Sequence, residues 1–293
     1  MPTKKFVVPL LALVLALGAC GGDGGETDAG STDADAPQSI VSISPTATEM
    51  LFAIGAGAQV KAVDDQSDYP TDAPKKEGLS GFTPNVEAIV GYEPDLVVLS
   101  NDTNDVVAGL KAAGVETLLL PAAKTLEESY AQIEQLGEAT GHEDEATEVV
   151  EEMKDEIEDL VGDLPERAEP LTYYHELDNT FFTATSKTFL GEVYALAGLE
   201  NIADAADSDQ SGYPQLSPEY IIEKNPDLVF LADTLCCQQS AETVAARPGW
   251  KEIKAVQQGH VVALDDDIAS RWGPRVVELL RVVAKAVADV PAA

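Results

Sequence analysis

Few cysteines and histidines are available in this chain for binding a metal, forming a covalent bond or moving a proton. Three cysteines, Cys20, Cys236 and Cys237, and three histidines, His142, His175 and His260, are spread over 293 residues. Cys236 and Cys237 are adjacent, which leaves three states open to them: a vicinal disulfide, two half-buried thiols, or a metal pair. His142 and His260 read as boundary residues. His175, beside Tyr174, reads as a satisfied buried histidine, with ligation of a heme iron as the alternative. No three-histidine cage can be drawn from these positions, so a free-zinc receptor is disfavoured and no metal site belonging to the protein itself is expected. Carboxylates abound, but among 52 acidic residues the spacing of any two says nothing. The chain has no Gly-x-Ser-x-Gly elbow, no Walker loop and no His-Glu-x-x-His helix, so no catalytic residue is expected.

Recognition is a better match to what remains. Glu87 and Glu219 hold the same position in an internal repeat, each in the first turn of a helix opened by Asn85 or Ser217. An acid there favours the helix dipole by at most about 1 kcal/mol, which is a sufficient structural reason for one such residue. Equivalent placement in two halves of the chain also puts one carboxylate on each side of the molecule. Phe82, between Gly81 and Thr83, has weak local reasons to be core. Tyr213, between Gly212 and Pro214, has little to bury against.

The repeat that carries the two glutamates organises the chain. Val86 to Leu99, VEAIVGYEPDLVVL, recurs as Pro218 to Leu231, PEYIIEKNPDLVFL, and each copy reads as a short helix feeding a buried strand. Between the copies lies Glu143 to Leu164, whose apolar residues fall three or four apart on an otherwise acidic helix. The expected fold is α/β, with two Rossmann-like lobes joined by a single long backbone helix and a ligand cleft between them. The divisions are 39–142 for the first lobe, 143–164 for the helix and 165–293 for the second lobe.

Composition narrows the partners. Lys plus Arg is 18 against 52 Asp plus Glu, a formal charge of -34, which leaves no basic surface for a nucleic-acid backbone. Lys4 and Lys5 precede an apolar run from Phe6 to Leu17 that closes on Leu17-Gly18-Ala19-Cys20. The run suits a secretory signal peptide over 1–19, and the small residues before Cys20 suit a lipobox, so the mature chain is expected to be lipid-anchored outside the bacterial cell membrane. A plain signal peptide is the alternative. Residues 20–38 are mostly Gly, Asp, Ala, Ser and Thr with almost nothing to bury, and read as a flexible acidic linker.

Taken together, Ile43-Ser44-Pro45-Thr46-Ala47-Thr48-Glu49-Met50, Ser67-Asp68-Tyr69-Pro70, the paired Pro-Asp-Leu-Val units and Arg271-x-x-Pro274-Arg275 resemble the helical-backbone class of ABC-transporter substrate-binding proteins. That class takes up vitamin B12, ferric siderophores and heme, and the match runs from about Ile40 to the last helix. Within it, the Ser67 to Pro70 turn and Gly212 to Ser217 most resemble the vitamin B12 receptors. The resemblance implies capture of a bulky metal chelate, a corrinoid for preference, with a ferric siderophore or heme as the alternative. It implies delivery to an ABC permease, little lobe closure, and no cofactor beyond the metal of the ligand. Gln66, Phe82, Tyr174, Phe182, Tyr213, Arg271 and Trp272 would line the cleft. Core packing is the other reading of Phe82 and Phe182, and pairing with the Asp265 to Asp267 run is the other reading of Arg271. Glu87 and Glu219 would meet arginines of the permease. Nothing points to a stable oligomer. The readings from other classes are a sensor or interaction module and a two-domain enzyme.

Overall fold

Short runs of Val, Ile and Leu form the strands. In a computed structural model of the chain, which describes residues 36–291, β1 (Ile40–Ile43), β2 (Val60–Val63), β3 (Leu96–Leu99) and β4 (Glu116–Leu119) make one parallel sheet in the order β2-β1-β3-β4. The strands β5 (Leu171–Glu176), β6 (Leu199–Asn201), β7 (Leu228–Leu231) and β8 (Val261–Ala263) make a second, separate parallel sheet in the order β6-β5-β7-β8. Both therefore have the same topology. Strands β1, β3 and β7 are buried at every position, as expected of a parallel sheet covered on both faces. Residues 1–35, with the expected signal peptide, Cys20 and most of the expected linker, lie outside the described residues.

Helices cover the sheets. In the first lobe they are α1 (Pro45–Ala53), α2 (Val86–Val90) and α3 (Val106–Ala112). Next come α4 (Leu126–Thr140) and α5 (Glu143–Gly162). The second lobe adds α6 (Phe189–Leu196), α7 (Pro218–Lys224), α8 (Ala241–Ala245), α9 (Lys254–Gln258) and the closing α10 (Val276–Asp289). Side-chain caps start most of them: Ser44, Asn85, Thr125, Thr188, Ser217 and Ser240 each accept a hydrogen bond from a backbone N–H of the first turn.

The repeat has a structural reason. Asp95 accepts hydrogen bonds from the N–H groups of Gln38 and Ser39 at 2.9 and 3.0 Å. Asp227 accepts from the N–H and the hydroxyl of Thr172, both at 2.9 Å. In each lobe the aspartate of Pro-Asp-Leu thus pins the entry of the neighbouring central strand, β1 or β5.

The long helix does not run alone. Its apolar stripe, Ala146, Val150, Met153 and Ile157, is buried against α4 on one side and α10 on the other. Gly137 of α4 lets the two helices touch, since a Cβ there would come within 2.5 Å of the Ala146 Cβ. A 20-residue helix of about 30 Å with one apolar face must be covered, and a helix from each side of the chain covers it. One hydrophobic core consequently runs from β1 and α1 through this layer to β5, α6 and α10, with a smaller core on the far face of each sheet.

Candidate ligand cleft

In open α/β sheets ligands bind beyond the carboxyl ends of the strands, and those ends carry most of the exposed aromatic side chains. At the end of β2, Asp64 turns the chain by accepting from the N–H groups of Gln66 and Ser67 at 2.9 and 2.8 Å. The Ser67 hydroxyl meets Thr48 at 2.9 Å. The next loop folds over this turn: the N–H of Asp65 donates to the Leu79 carbonyl, and Gly81 lies so close to Asp64 that an added Cβ would be 3.3 Å from its Oδ2. Ser80 Oγ accepts from the N–H groups of Phe82 and Thr83. Phe82 is held at the tip, 75% exposed. Gln66 is also exposed.

In the second lobe the chain leaving β5 pairs antiparallel with the loop before α7. The N–H of Thr183 donates to the Pro214 carbonyl, that of Thr185 to Gly212, and Phe182 lies opposite Gln215. Side chains alternate on such a ribbon, so Phe182 and Gln215 share a face with Tyr213 diagonally across. Phe182 is 39% and Tyr213 50% exposed. Gly212 makes the turn into this ribbon with φ +82°, a conformation that glycine adopts without strain.

An ion cluster joins the lobes. Glu49 on α1 is buried and accepts from Arg271 Nη1 at 2.7 Å and from Arg275 Nε at 3.0 Å and Nη2 at 2.5 Å. Arg271 Nη2 also reaches Asp68 at 2.8 Å, Asp267 at 2.7 Å and the Gln66 carbonyl at 3.1 Å. The Arg275 guanidinium lies 4.1 Å from the centre of the Tyr69 ring. Three carboxylates thus share two guanidiniums. Burial works against ionised Asp68, but the hydrogen bond and charge of Arg271 bring its carboxyl below the usual range. Burial raises that of Asp267; Arg271 opposes the shift and neighbouring Asp68 adds to it.

A second cluster lies under the carboxyl edge of β5 and β7. Glu176 is buried and paired with both Nη atoms of Arg247 at 2.6 and 2.5 Å, and the guanidinium packs on the Trp250 and Phe181 rings. Asp233 is buried beside Glu176 with no hydrogen bond to either of its carboxyl oxygens. Burial, then the charge of Glu176, pushes its pKa up to about 7.

Three of the expected cleft residues sit differently. Tyr174 is fully buried, edge-on to Trp250, because β5 runs on to Glu176 and leaves Tyr174 mid-strand instead of at an exit. Arg271 is only 7% exposed and engaged on every side by carboxylates. Trp272 is half-buried, with its indole N–H on Gln132 at 2.8 Å and its carbonyl accepting from the Ser129 hydroxyl, so it ties the second lobe to α4. His175 is buried with Nδ1 2.7 Å from the Tyr194 hydroxyl, and burial lowers its pKa to about 4. Cys236 and Cys237 are joined as a disulfide. Glu87 and Glu219 are exposed. Glu49 had a legible signal, since it is the lone charge in Pro45 to Ala53, PTATEMLFA, on a helix that must bury itself. Asp68 had none among so many acids; the Arg271–Asp267 contact is the alternative pairing with the Asp265 to Asp267 run expected above.

The description of a periplasmic binding protein family matches residues 40–268. The chain belongs to that family. The ABC transporter substrate-binding lipoprotein YvrC of Bacillus subtilis is 31% identical over 86% of this chain and 80% of its own length. A cobalamin-binding protein of Halobacterium salinarum is 32% identical over 85% of this chain and 69% of its own. The crystal structure of the periplasmic vitamin B12 binding protein BtuF of Vibrio cholerae superposes with a TM-score of 0.70 at 26% identity, covering 87% of this chain and 99% of that one. Family membership makes this an extracytoplasmic substrate-binding protein of the ABC-transporter type and not an enzyme. Among the described residues no helix is long and apolar enough to cross a membrane.

Proposed function

We propose that this periplasmic binding protein is the corrinoid receptor of an ABC importer, tethered to the membrane by a lipid on Cys20. The observation that carries the ligand class is the exposure of Phe82 on one lobe and of Phe182 and Tyr213 on the other, all on strand-exit loops. Aromatic faces of this kind suit the broad, largely apolar edge and face of a macrocycle. The state of Arg271 supports a neutral ligand over an anionic one: its guanidinium already holds Glu49, Asp68 and Asp267, so it is not free for a propionate or an acidic siderophore. The cobalamin-binding relative points the same way. Glu87 and Glu219, exposed on equivalent helices of the two lobes, dock the permease.

The test is a thermal melt and absorption spectrum of the protein with cyanocobalamin, hemin and ferric siderophores in turn. A ligand at 100 times its dissociation constant adds about 2.7 kcal/mol of stability. A shift with cyanocobalamin alone supports the reading. A shift with hemin or a siderophore alone replaces the ligand, and no shift with any removes the receptor assignment to this ligand class.

A further inference from the structure

The loop after β7 exposes a large apolar side chain on a backbone that is held from two directions. Leu235 is 67% exposed and is followed by the Cys236–Cys237 disulfide. From one side the Asp266 carboxylate accepts three consecutive backbone N–H groups, those of Thr234, Leu235 and Cys236, at 2.8, 3.0 and 3.0 Å. The Thr234 hydroxyl lies 2.8 Å from the same carboxylate. From the other side the N–H groups of Cys237 and Gln239 donate to the Asp233 carbonyl. The backbone is thus held from both sides while the Leu235 side chain stands in solvent.

Its place in the fold says what it faces. The loop leaves the carboxyl end of β7, beside β5, whose exit carries the Phe182 and Tyr213 ribbon. Asp266, which clamps it, is followed by Asp267, which meets Arg271 in the cluster that reaches Glu49 and Asp68 of the first lobe. The clamped loop therefore stands at the carboxyl edge of the second sheet, next to the line where the lobes meet.

We propose that Leu235 and the Cys236–Cys237 disulfide form a preformed apolar lip of the cleft that contacts the bound chelate and helps to set ligand choice. The proposal rests on the receptor reading above. Two sulfur atoms and an isobutyl group offer a surface without hydrogen-bond demand, suited to the methyl-rich rim of a macrocycle and not to a charged catecholate. Because the carboxylate and the disulfide fix the loop before binding, contact costs little ordering.

The probes are cyanocobalamin, hemin and a ferric catecholate, titrated into the full chain and into Leu235→Ala, Leu235→Met, Cys236→Ser/Cys237→Ser and Tyr213→Ala. Leu235→Ala and the double serine variant should each bind the preferred probe about tenfold more weakly, with unchanged melting in its absence, and Leu235→Met, which keeps an apolar side chain there, should lose less than Leu235→Ala. Wild-type affinity in Leu235→Ala and the double serine variant, alongside weakened Tyr213→Ala, overturns the lip and leaves the receptor intact. Failure of the wild type to bind any probe removes both. A ligand-free arm stands apart from either result: non-reducing peptide mapping should find the segment with Cys236 and Cys237 lighter by two hydrogens, and free thiols there overturn the proposal.

Discussion

Glu49 and Arg271 stand 222 residues apart in sequence and 2.7 Å apart in space, both almost fully buried. One belongs to the first helix of the first lobe and the other to the segment before the last helix. A carboxylate so placed would be costly without partners, and it has two guanidiniums. Replacing Glu49 by Gln would leave Arg271 and Arg275 with buried charge poorly compensated. Breaking a buried pair from one side typically costs about 3–5 kcal/mol, and a loss of that order is expected in urea denaturation of Glu49→Gln. A change under about 1 kcal/mol would mean that water reaches the cluster and screens it.

Tyr213 and Tyr174 should respond in opposite ways. Tyr213→Ala removes a half-exposed ring, so melting should stay near that of the wild type while cyanocobalamin binding weakens by about 1–3 kcal/mol. Tyr174→Ala empties a site against Trp250 and should cost about 3–5 kcal/mol of stability. Equal effects on melting would show that the ribbon with Tyr213 is part of the core.

Asp233 gives a pH dependence with a definite sign. Its carboxyl is raised in the folded protein to about 7, from an unfolded value near 4. The folded state therefore binds this proton more tightly, and the associated stability is complete below about pH 4 and lost as pH rises through about 7. Asp233→Asn keeps a neutral group in place. It should flatten the fall in stability between pH 4 and 8 and leave the variant more stable than the wild type at pH 8, by about 1 kcal/mol or more. Parallel wild-type and variant curves across that range would show that Asp233 is ionised at no extra cost.

Glu87 and Glu219 are exposed and lie outside the ion clusters, so replacing both by alanine should lower helix stability by only about 1 kcal/mol each. Uptake by cells should be abolished while affinity in solution is kept. Loss of affinity in the purified double variant would place them in ligand binding instead.

Much of the fold was legible because its signals are local. The repeated Pro-Asp-Leu units marked β3 and β7, and the apolar periodicity of Glu143 onward marked α5. Exposure was legible where a loop residue had nothing nearby to cover it, as with Phe82 and Tyr213. Tyr174 misled because a strand buried on both faces has no alternation to mark where it stops, and two further residues of β5 turned an expected exit into an interior. Arg271 was read in part: pairing with the nearby Asp265 to Asp267 run was one of its two readings and holds at Asp267, but its partners Glu49 and Asp68 lie more than 200 residues away and left no local sign. The layer of α4, α5 and α10 was half-read, since one amphipathic helix shows that it needs cover but not which segment supplies it.

That layer, together with the ion pairs that hold Glu49 of α1 to Arg271 and Arg275 of the second lobe, should leave the two halves little freedom to swing. A receptor of this build is expected to keep almost the same outline empty and full, and its importer would then meet unladen copies as rivals for the same landing place. Transport should then slow when the receptor is supplied in excess over its cargo, and raising the cargo concentration should restore it.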